Sequence, residues 1–201
     1  MPKHEILFLV FSYLLGAVPF GYILYFITEK KDIRREGSGN IGATNVLRTK
    51  GKTAGIITLV LDVLKGVLPI LYGLKHFDSP VIIIGGGAAA ITGHLFSPYL
   101  KFKGGKGIST FLGLSMAFHF SLALVFAAVF LSTYFLNRYV SAASMAGVTA
   151  VFFVTLFTQV VEVSMVMSVV VILILGKHHG NIRRLMAGTE PRLLGERNGQ
   201  K

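Results

Sequence analysis

The side chains able to do chemistry in this chain gather in three short polar stretches. They are GSGNIGATN (37–45, with Arg48 just beyond), KFKGGKGIS (101–109) and KHHGNIRRLMAGTE (177–190). Each sets glycine beside hydrogen-bond donors. Glycine lets backbone N–H groups come close to an anion. Ser, Thr and Asn add neutral donors, and Lys and Arg add charge. None of the three contains an obvious nucleophile–base pair. The pattern suits the holding of phosphate groups, two at once if the stretches share a face.

Soluble-enzyme readings of these glycines fail. Gly37-x-Gly39-x-x-Gly42 matches the dinucleotide fingerprint, but that fingerprint needs a preceding strand inside a βαβ unit. Here an apolar segment (6–27) and the charged linker EKKDIRRE precede it. A Walker A loop fails as well, since Leu100 stands at its first glycine position and Gly107 replaces its Ser/Thr. One glycine-rich loop between spans is explained equally well by a tight turn. Three such loops with basic residues on one face are not.

Metal and thiol chemistry find no support. The chain has no cysteine, which excludes disulfides, thiolate metal sites and a cysteine nucleophile. HExxH is absent, and no His/Asp/Glu set has zinc spacing. His4, His76 and His119 look peripheral. His94 suits either a site or a satisfied polar position in a bundle. His178 and His179 close the last apolar stretch, where cations are favoured anyway. His178 and Asn181 share a face if helix continues.

The elements that must position these groups are membrane spans. The chain has 201 residues, 53% of them hydrophobic and only 14% charged, with a mean hydropathy of +0.67. Ordinary soluble domains carry about 25% charged residues. The apolar residues fall in long blocks, so the expected fold is an all-α integral membrane bundle, a single domain over 1–201 with a flexible basic tail at 191–201. Segment 6–27 is too long for a secretion signal and lacks a cleavage site. The net charge is +11. Lys and Arg cluster at 30–52, 101–106, Arg138 and 177–201, in short loops between spans, which argues against nucleic acid. By the positive-inside rule those clusters are cytoplasmic, with the N-terminus out and the C-terminus in.

Spans are expected at about 5–27, 53–74, 80–100, 141–157 and 162–176. Gly16, Pro19 and Gly21 predict a kink or close packing in the first. Lys101–Lys106 and Arg138 both want the inside, so 108–136 must cross twice or dip and return. As one helix it reaches about 43 Å, short of the roughly 60 Å that two crossings need. A break near His119 fits. The expectation is seven segments; five is the alternative and would put Arg138 outside. Asp62 and Lys65, at i, i+3 inside the second span, read as a mutually neutralising pair that supports the bundle.

GSGNIGATN, GHLFSPYLKFKGGKGIST and HHGNIRRLMAGTEPR closely resemble, in order, the three motifs of the bacterial acyl-phosphate:glycerol-3-phosphate acyltransferase family (PlsY). LDVLKG in the second span, RYVS at 138–141 and the span order are also similar. The resemblance runs from about residue 5 to 192. It implies a seven-span, multi-pass enzyme of the bacterial cytoplasmic (inner) membrane with its active site facing the cytoplasm. Such an enzyme moves a fatty acyl group from acyl phosphate to the 1-hydroxyl of glycerol 3-phosphate. The products are lysophosphatidic acid and phosphate, in the first step of phospholipid synthesis. The implied partners are glycerol 3-phosphate, acyl phosphate and membrane lipid, with the protein functional as a monomer and with no cofactor or metal.

Carried over by position, Ser38, Arg48 and Lys106 resemble the family's binders of the glycerol 3-phosphate phosphate. Ser141, His178 and Asn181 resemble its substrate-contacting positions. Asn40, Thr44 and Asn45 would shape the first motif and offer donors. Gly104, Gly105 and Gly107 would form the acyl-phosphate loop. Other glycerol-phosphate acyltransferases use an H-x4-D pair, but the fifth residue after each histidine here is Leu9, Val81, Tyr99, Leu124, Arg183 or Arg184. With no such base, the expected mechanism is substrate-assisted. The rival class is a membrane transporter or channel for an organic phosphate. Transporters usually place their sites at mid-membrane between inverted repeats, whereas these polar groups gather at one face.

Overall fold

The computed structural model describes residues 1–193, so most of the expected tail, from 194 on, lies outside the described residues. Among the described residues every regular element is helical. The order is α1 (Lys3–Ala17), α2 (Phe20–Glu29), α3 (Ala43–Lys50), α4 (Lys52–His76), α5 (Pro80–Leu95), α6 (Ile108–Phe118), α7 (Phe120–Asn137), α8 (Val140–Thr158), α9 (Val161–Lys177) and α10 (His179–Met186). Five stretches are long and apolar enough to cross a membrane: Lys3–Glu29, α4, Pro80–Leu100, α7 and α8. The pair α9 and α10, bent by 52°, makes a sixth if taken together. The remaining expected segment is α6, whose 11 residues reach about 16 Å, roughly half the hydrocarbon thickness. His119 ends α6 and precedes α7, at the break expected there.

The first span is broken where the sequence puts proline. Pro19 has no N–H and disfavours helical backbone at Val18, so α1 stops at Ala17 and α2 starts at Phe20. The break leaves the Gly16 carbonyl without a helical partner and the Val18 carbonyl with only the Phe20 N–H two residues on (3.1 Å). At membrane depth these must be satisfied inside the protein. Lys65 of α4 does so: its ammonium donates to Gly16 O (3.2 Å) and Val18 O (2.6 Å). The same ammonium pairs with Asp62 Oδ1 at 2.8 Å and meets His94 Nδ1 of α5 at 3.2 Å. It lies 5.2 Å from the Phe20 ring centroid and is 1% exposed. The Asp62–Lys65 pair legible in the sequence is therefore present, and it ties three elements together.

Small residues set how closely the helices approach. A Cβ on Gly16 would overlap the Ala90 carbonyl, and one on Gly93 the Tyr13 carbonyl, which seats α1 against α5. Gly66 and Gly113 do the same between α4 and α6. The apolar core runs through α5, α6, α7, α8 and α9, with Leu95, Phe111, Leu114, Phe126, Val151 and Met167 at its centre. The outer surface carries large apolar side chains such as Phe11, Leu71, Phe135, Phe157 and Ile172, as lipid-facing helices require and a soluble surface avoids. A second, smaller cluster of Tyr25, Ile33, Ile41, Val46 and Leu100 seats α3 and its leading loop.

Removing one member of a buried ion pair strands the other, at a cost of about 3 to 5 kcal/mol. Lys65→Met should therefore lower the thermal unfolding midpoint in detergent far more than Lys75→Met, whose side chain is exposed. Equal midpoints would remove the Lys65 ammonium from the account of the broken span.

Candidate active site

A cavity of about 440 Å³ opens where α3, α6, α8 and α10 all begin. The nine side chains singled out as substrate contacts converge on it: Ser38, Asn40, Thr44, Asn45 and Arg48 from the first motif, Lys106 from the second, Ser141 from the start of α8, and His178 and Asn181 from the third. His4, His76 and His119 do not line it.

The first motif is held in shape by one amide. Asn45, 1% exposed, accepts from Ser38 N–H (2.8 Å) and donates to the carbonyls of Asn40 (2.8 Å) and Glu36 (3.0 Å). Its hydrogen bonds are thus spent on the loop rather than offered outward. Gly37 sits at φ +56°, where a side chain is strained, and a Cβ there would strike Asn45 Oδ1. The loop delivers Ala43 and Thr44 as the first residues of α3, with amides that no helical carbonyl uses.

Helix N-termini meet around the cavity. Ala43 and Thr44 open α3, Ile108 and Ser109 open α6, Val140 and Ser141 open α8, and Asn181 lies in the first turn of α10. None of these four helices has a side-chain cap. Their partial positive charges therefore face the space directly, as anion sites require. Arg48, one turn into α3, donates to Pro191 O at 3.1 Å, and its Nε has no partner. Lys106 has no carboxylate within ion-pair reach among the described residues. Burial lowers the Lys106 ammonium to about 8, with Arg184 and Arg48 pushing the same way and Glu190 opposing. Burial also draws Arg48 below its ordinary value. These are half-buried cations that make no ion pair with a carboxylate among the described residues.

The second motif divides. Lys106 and Gly107 line the cavity; Gly104 and Gly105 do not. They pack beneath it, where Gly105 N–H donates to His94 O at 3.0 Å. A Cβ on Gly104 would strike that carbonyl, and one on Gly105 the His94 ring. These two glycines let the loop pass over the end of α5. His94 is in turn held by Lys65, and with Asp62 it reaches the cavity wall.

Glu190 is the residue that sequence reasoning missed. It accepts from Ser141 Oγ (2.6 Å), Asn181 Nδ2 (2.6 Å) and Arg184 Nε (2.8 Å). Burial pushes its carboxyl upward, but the three hydrogen bonds outweigh that and hold it below the usual carboxylate range. The available signal was a lone acid at the end of a basic stretch. Away from the polar end the lining turns apolar, with Leu112, Phe126 and Phe130 inside. Ile56, Leu59 and Leu131, on α4 and α7, line it as well and are exposed on the outer surface. Among the described residues no group of three or more His, Asp or Glu is placed to hold a metal ion.

Comparison with known proteins gives a consistent answer. The family model described as glycerol-3-phosphate acyltransferase matches residues 6–188. A glycerol-3-phosphate acyltransferase of Mesorhizobium japonicum is 43% identical over 188 residues, covering 94% of this chain and 95% of the relative. One from Macrococcus caseolyticus is 40% identical, covering 93% and 96%. Among solved structures, PlsY (YgiH), an integral membrane glycerol 3-phosphate acyltransferase, aligns in its glycerol 3-phosphate form with a TM-score of 0.90 and 37% identity, covering 94% of this chain and 96% of that one. Its lysophosphatidic acid form aligns with a TM-score of 0.86, at 37% identity over 94% and 95% of the two chains.

The lowered Lys106 fixes a pH dependence. A phosphate monoester loses its second proton near pH 6, so above about pH 7 the ligand's charge is constant. Its affinity should stay level to about pH 8, then fall as the free protein's Lys106 loses its proton, by at most about tenfold per pH unit. Lys106→Arg, which stays charged, should extend the level region to about pH 9. Titration calorimetry across this range is the check, and a flat wild-type profile would detach Lys106 from the anion.

Proposed function

The chain belongs to the glycerol-3-phosphate acyltransferase family, and on that premise we propose that it moves a fatty acyl group from acyl phosphate to the 1-hydroxyl of sn-glycerol 3-phosphate. The products are lysophosphatidic acid and inorganic phosphate, in the first step of phospholipid synthesis. The observation that carries this reading is a single cavity with a cationic end at four helix N-termini and an apolar end reaching the outer surface between α4 and α7. A water-soluble phosphate ester and a lipid-tailed phosphate have a meeting place there.

Acyl phosphate is a mixed anhydride with a good leaving group, so the protein's task is positioning and charge stabilisation. Ser38, Arg48 and Lys106 hold the phosphate of glycerol 3-phosphate, with the α3 amides at Ala43 and Thr44 completing the clamp. Asn40 and Asn45 shape the loop that carries them. The α6 N-terminus behind Gly104, Gly105 and Gly107 takes the phosphate of the acyl donor, whose tail lies along Leu112, Phe126 and Phe130. Ser141, His178 and Asn181 contact the acceptor. The 1-hydroxyl oxygen attacks the acyl carbonyl carbon, and a substrate phosphate oxygen takes its proton. The carbonyl–oxygen bond to phosphate then breaks, and phosphate leaves with the electron pair. A protein base is not required. The His94–Asp62 neighbours, 3.8 Å apart at the cavity wall, are engaged by Lys65. The ammonium has only protons to give, so His94 Nδ1 accepts, and Nε2 of the neutral ring carries the proton and cannot act as a base.

In the membrane the chain has seven segments, counting α6 as a short leg, with its N-terminus out and its C-terminus in. It acts as a monomer in the bacterial inner membrane, with the cavity mouth on the cytoplasmic side.

The test is purified protein with glycerol 3-phosphate and, in parallel, acyl phosphate, acyl-CoA or acyl-carrier protein, following lysophosphatidic acid. Product from acyl phosphate alone is expected. Product from a thioester alone overturns the donor and the base-free mechanism; none from any donor, in folded protein, favours a phosphate transporter. Arg48→Ala and Lys106→Ala should each lose at least about 100-fold in kcat/KM while still inserting, and near-normal turnover in either breaks the clamp.

A further inference from the structure

The two polar walls of the cavity differ in kind. One is made of groups that only donate: Arg48, Lys106 and the free amides of the helix N-termini. The other is made of Ser141, His178 and Asn181 with Glu190 beside them, and hydrogen bonds to Glu190 and to the Ile174 carbonyl fix what each of the three can do. Glu190 is ionised and can only accept. The one hydroxyl proton of Ser141 is committed to Glu190 Oε1 at 2.6 Å, so toward the cavity Ser141 shows lone pairs. The Asn181 Nδ2 is committed to the same oxygen at 2.6 Å, so Oδ1 is the end left without a partner among the described residues. His178 Nδ1 lies 2.8 Å from the Ile174 carbonyl, which also only accepts, so Nδ1 carries the proton. No carboxylate lies within ion-pair reach of His178 among the described residues, and its ring is 1% exposed. In that neutral ring Nε2 is a lone pair. All three residues line the cavity.

A phosphate dianion has no proton to offer such a wall. A hydroxyl does. Resting on the function proposed above, we propose that Glu190 is a positioning residue that sets the polarity of this wall, so that Ser141, His178 and Asn181 receive the hydroxyl protons of a polyol phosphate while its phosphate goes to the donor wall. The acceptor substrate is then oriented by opposite demands at its two ends. An acceptor lacking a hydroxyl leaves a buried oxygen or nitrogen unmet, which is the situation in which binding sites discriminate most strongly. Arg184, donating to Glu190 Oε2 at 2.8 Å, holds the carboxylate from the far side.

The experiment compares glycerol 3-phosphate with 3-hydroxypropyl phosphate, which keeps the reacting hydroxyl and the phosphate but lacks the secondary hydroxyl. Wild-type protein should prefer glycerol 3-phosphate by at least about 100-fold in kcat/KM. Substitution of Glu190 by alanine removes the one oxygen that receives both Ser141 and Asn181, so the hydroxyl proton and the amide Nδ2 are free to turn toward the cavity. Glu190→Ala should shrink the preference to below about tenfold, by losing activity on glycerol 3-phosphate, while inhibition by inorganic phosphate changes less than about threefold. A merely structural Glu190 would lower both acceptors, and phosphate inhibition, by a common factor; that result overturns the proposal, as does a wild-type enzyme indifferent to the missing hydroxyl. If Glu190→Ala does not fold, Ser141→Ala is read the same way, with the preference expected to fall by about tenfold and an unchanged preference counting against the inference. Wild-type protein that does not acylate glycerol 3-phosphate at all overturns the functional reading itself, an outcome separate from the loss or retention of selectivity.

Discussion

The Lys65 ammonium is the contact on which the first half of the chain depends. A span interrupted by proline cannot leave its carbonyls facing hydrocarbon; Lys65 donates to Gly16 O and joins Phe20 N–H at Val18 O. Its charge is matched by Asp62 and its remaining direction is taken by His94. Two of the three polar stretches are placed through this centre. The break starts α2 where Gly21 meets the Ile41 carbonyl, which seats the first motif. His94 carries the glycine loop on its own carbonyl. A charge that is costly at membrane depth thus fixes the geometry of groups at the membrane edge.

From that scaffold follows a site whose parts are sorted by hydrogen-bonding sense. Backbone amides at helix starts are fixed donors that need no reorganisation when an anion arrives. Side chains are adjustable, and here their neighbours adjust them: Asn45 by its own loop, Ser141 and Asn181 by Glu190, His178 by the Ile174 carbonyl. The apolar continuation past Leu112 and Phe130 needs no such tuning. It only has to exclude water and reach lipid.

Much of this was legible in the sequence because it rests on composition and length. Apolar blocks announce spans, and the about 43 Å reach of 108–136 left too little length for two full crossings, which α6 and α7 resolve by being unequal. That the three polar stretches supply the polar lining of one cavity was legible too, since their glycines and donors stand out between apolar blocks. Their division of labour was not. Gly104 and Gly105 carry the same signal as a phosphate loop, yet a carbonyl lies beneath them. Asn45 reads as a donor, and its amide is consumed by Glu36 and Asn40. The spacing of Asp62 and Lys65 predicts a pair on α4, but nothing local tells that Lys65 reaches α1. Glu190 stands among arginines, and one-dimensional order cannot say that it turns toward Ser141, far back along the chain.

The link between Arg48 and Pro191 O joins residues at opposite ends of the chain. Synthesis runs from the N-terminus, so Arg48, Lys106 and the starts of α3 and α6 are laid down long before His178, Asn181 and Glu190. A chain grown only as far as α6 carries Arg48 and Lys106 and lacks His178, Asn181 and Glu190. The two sides of the cavity are thus separated in the order of synthesis as well as in space.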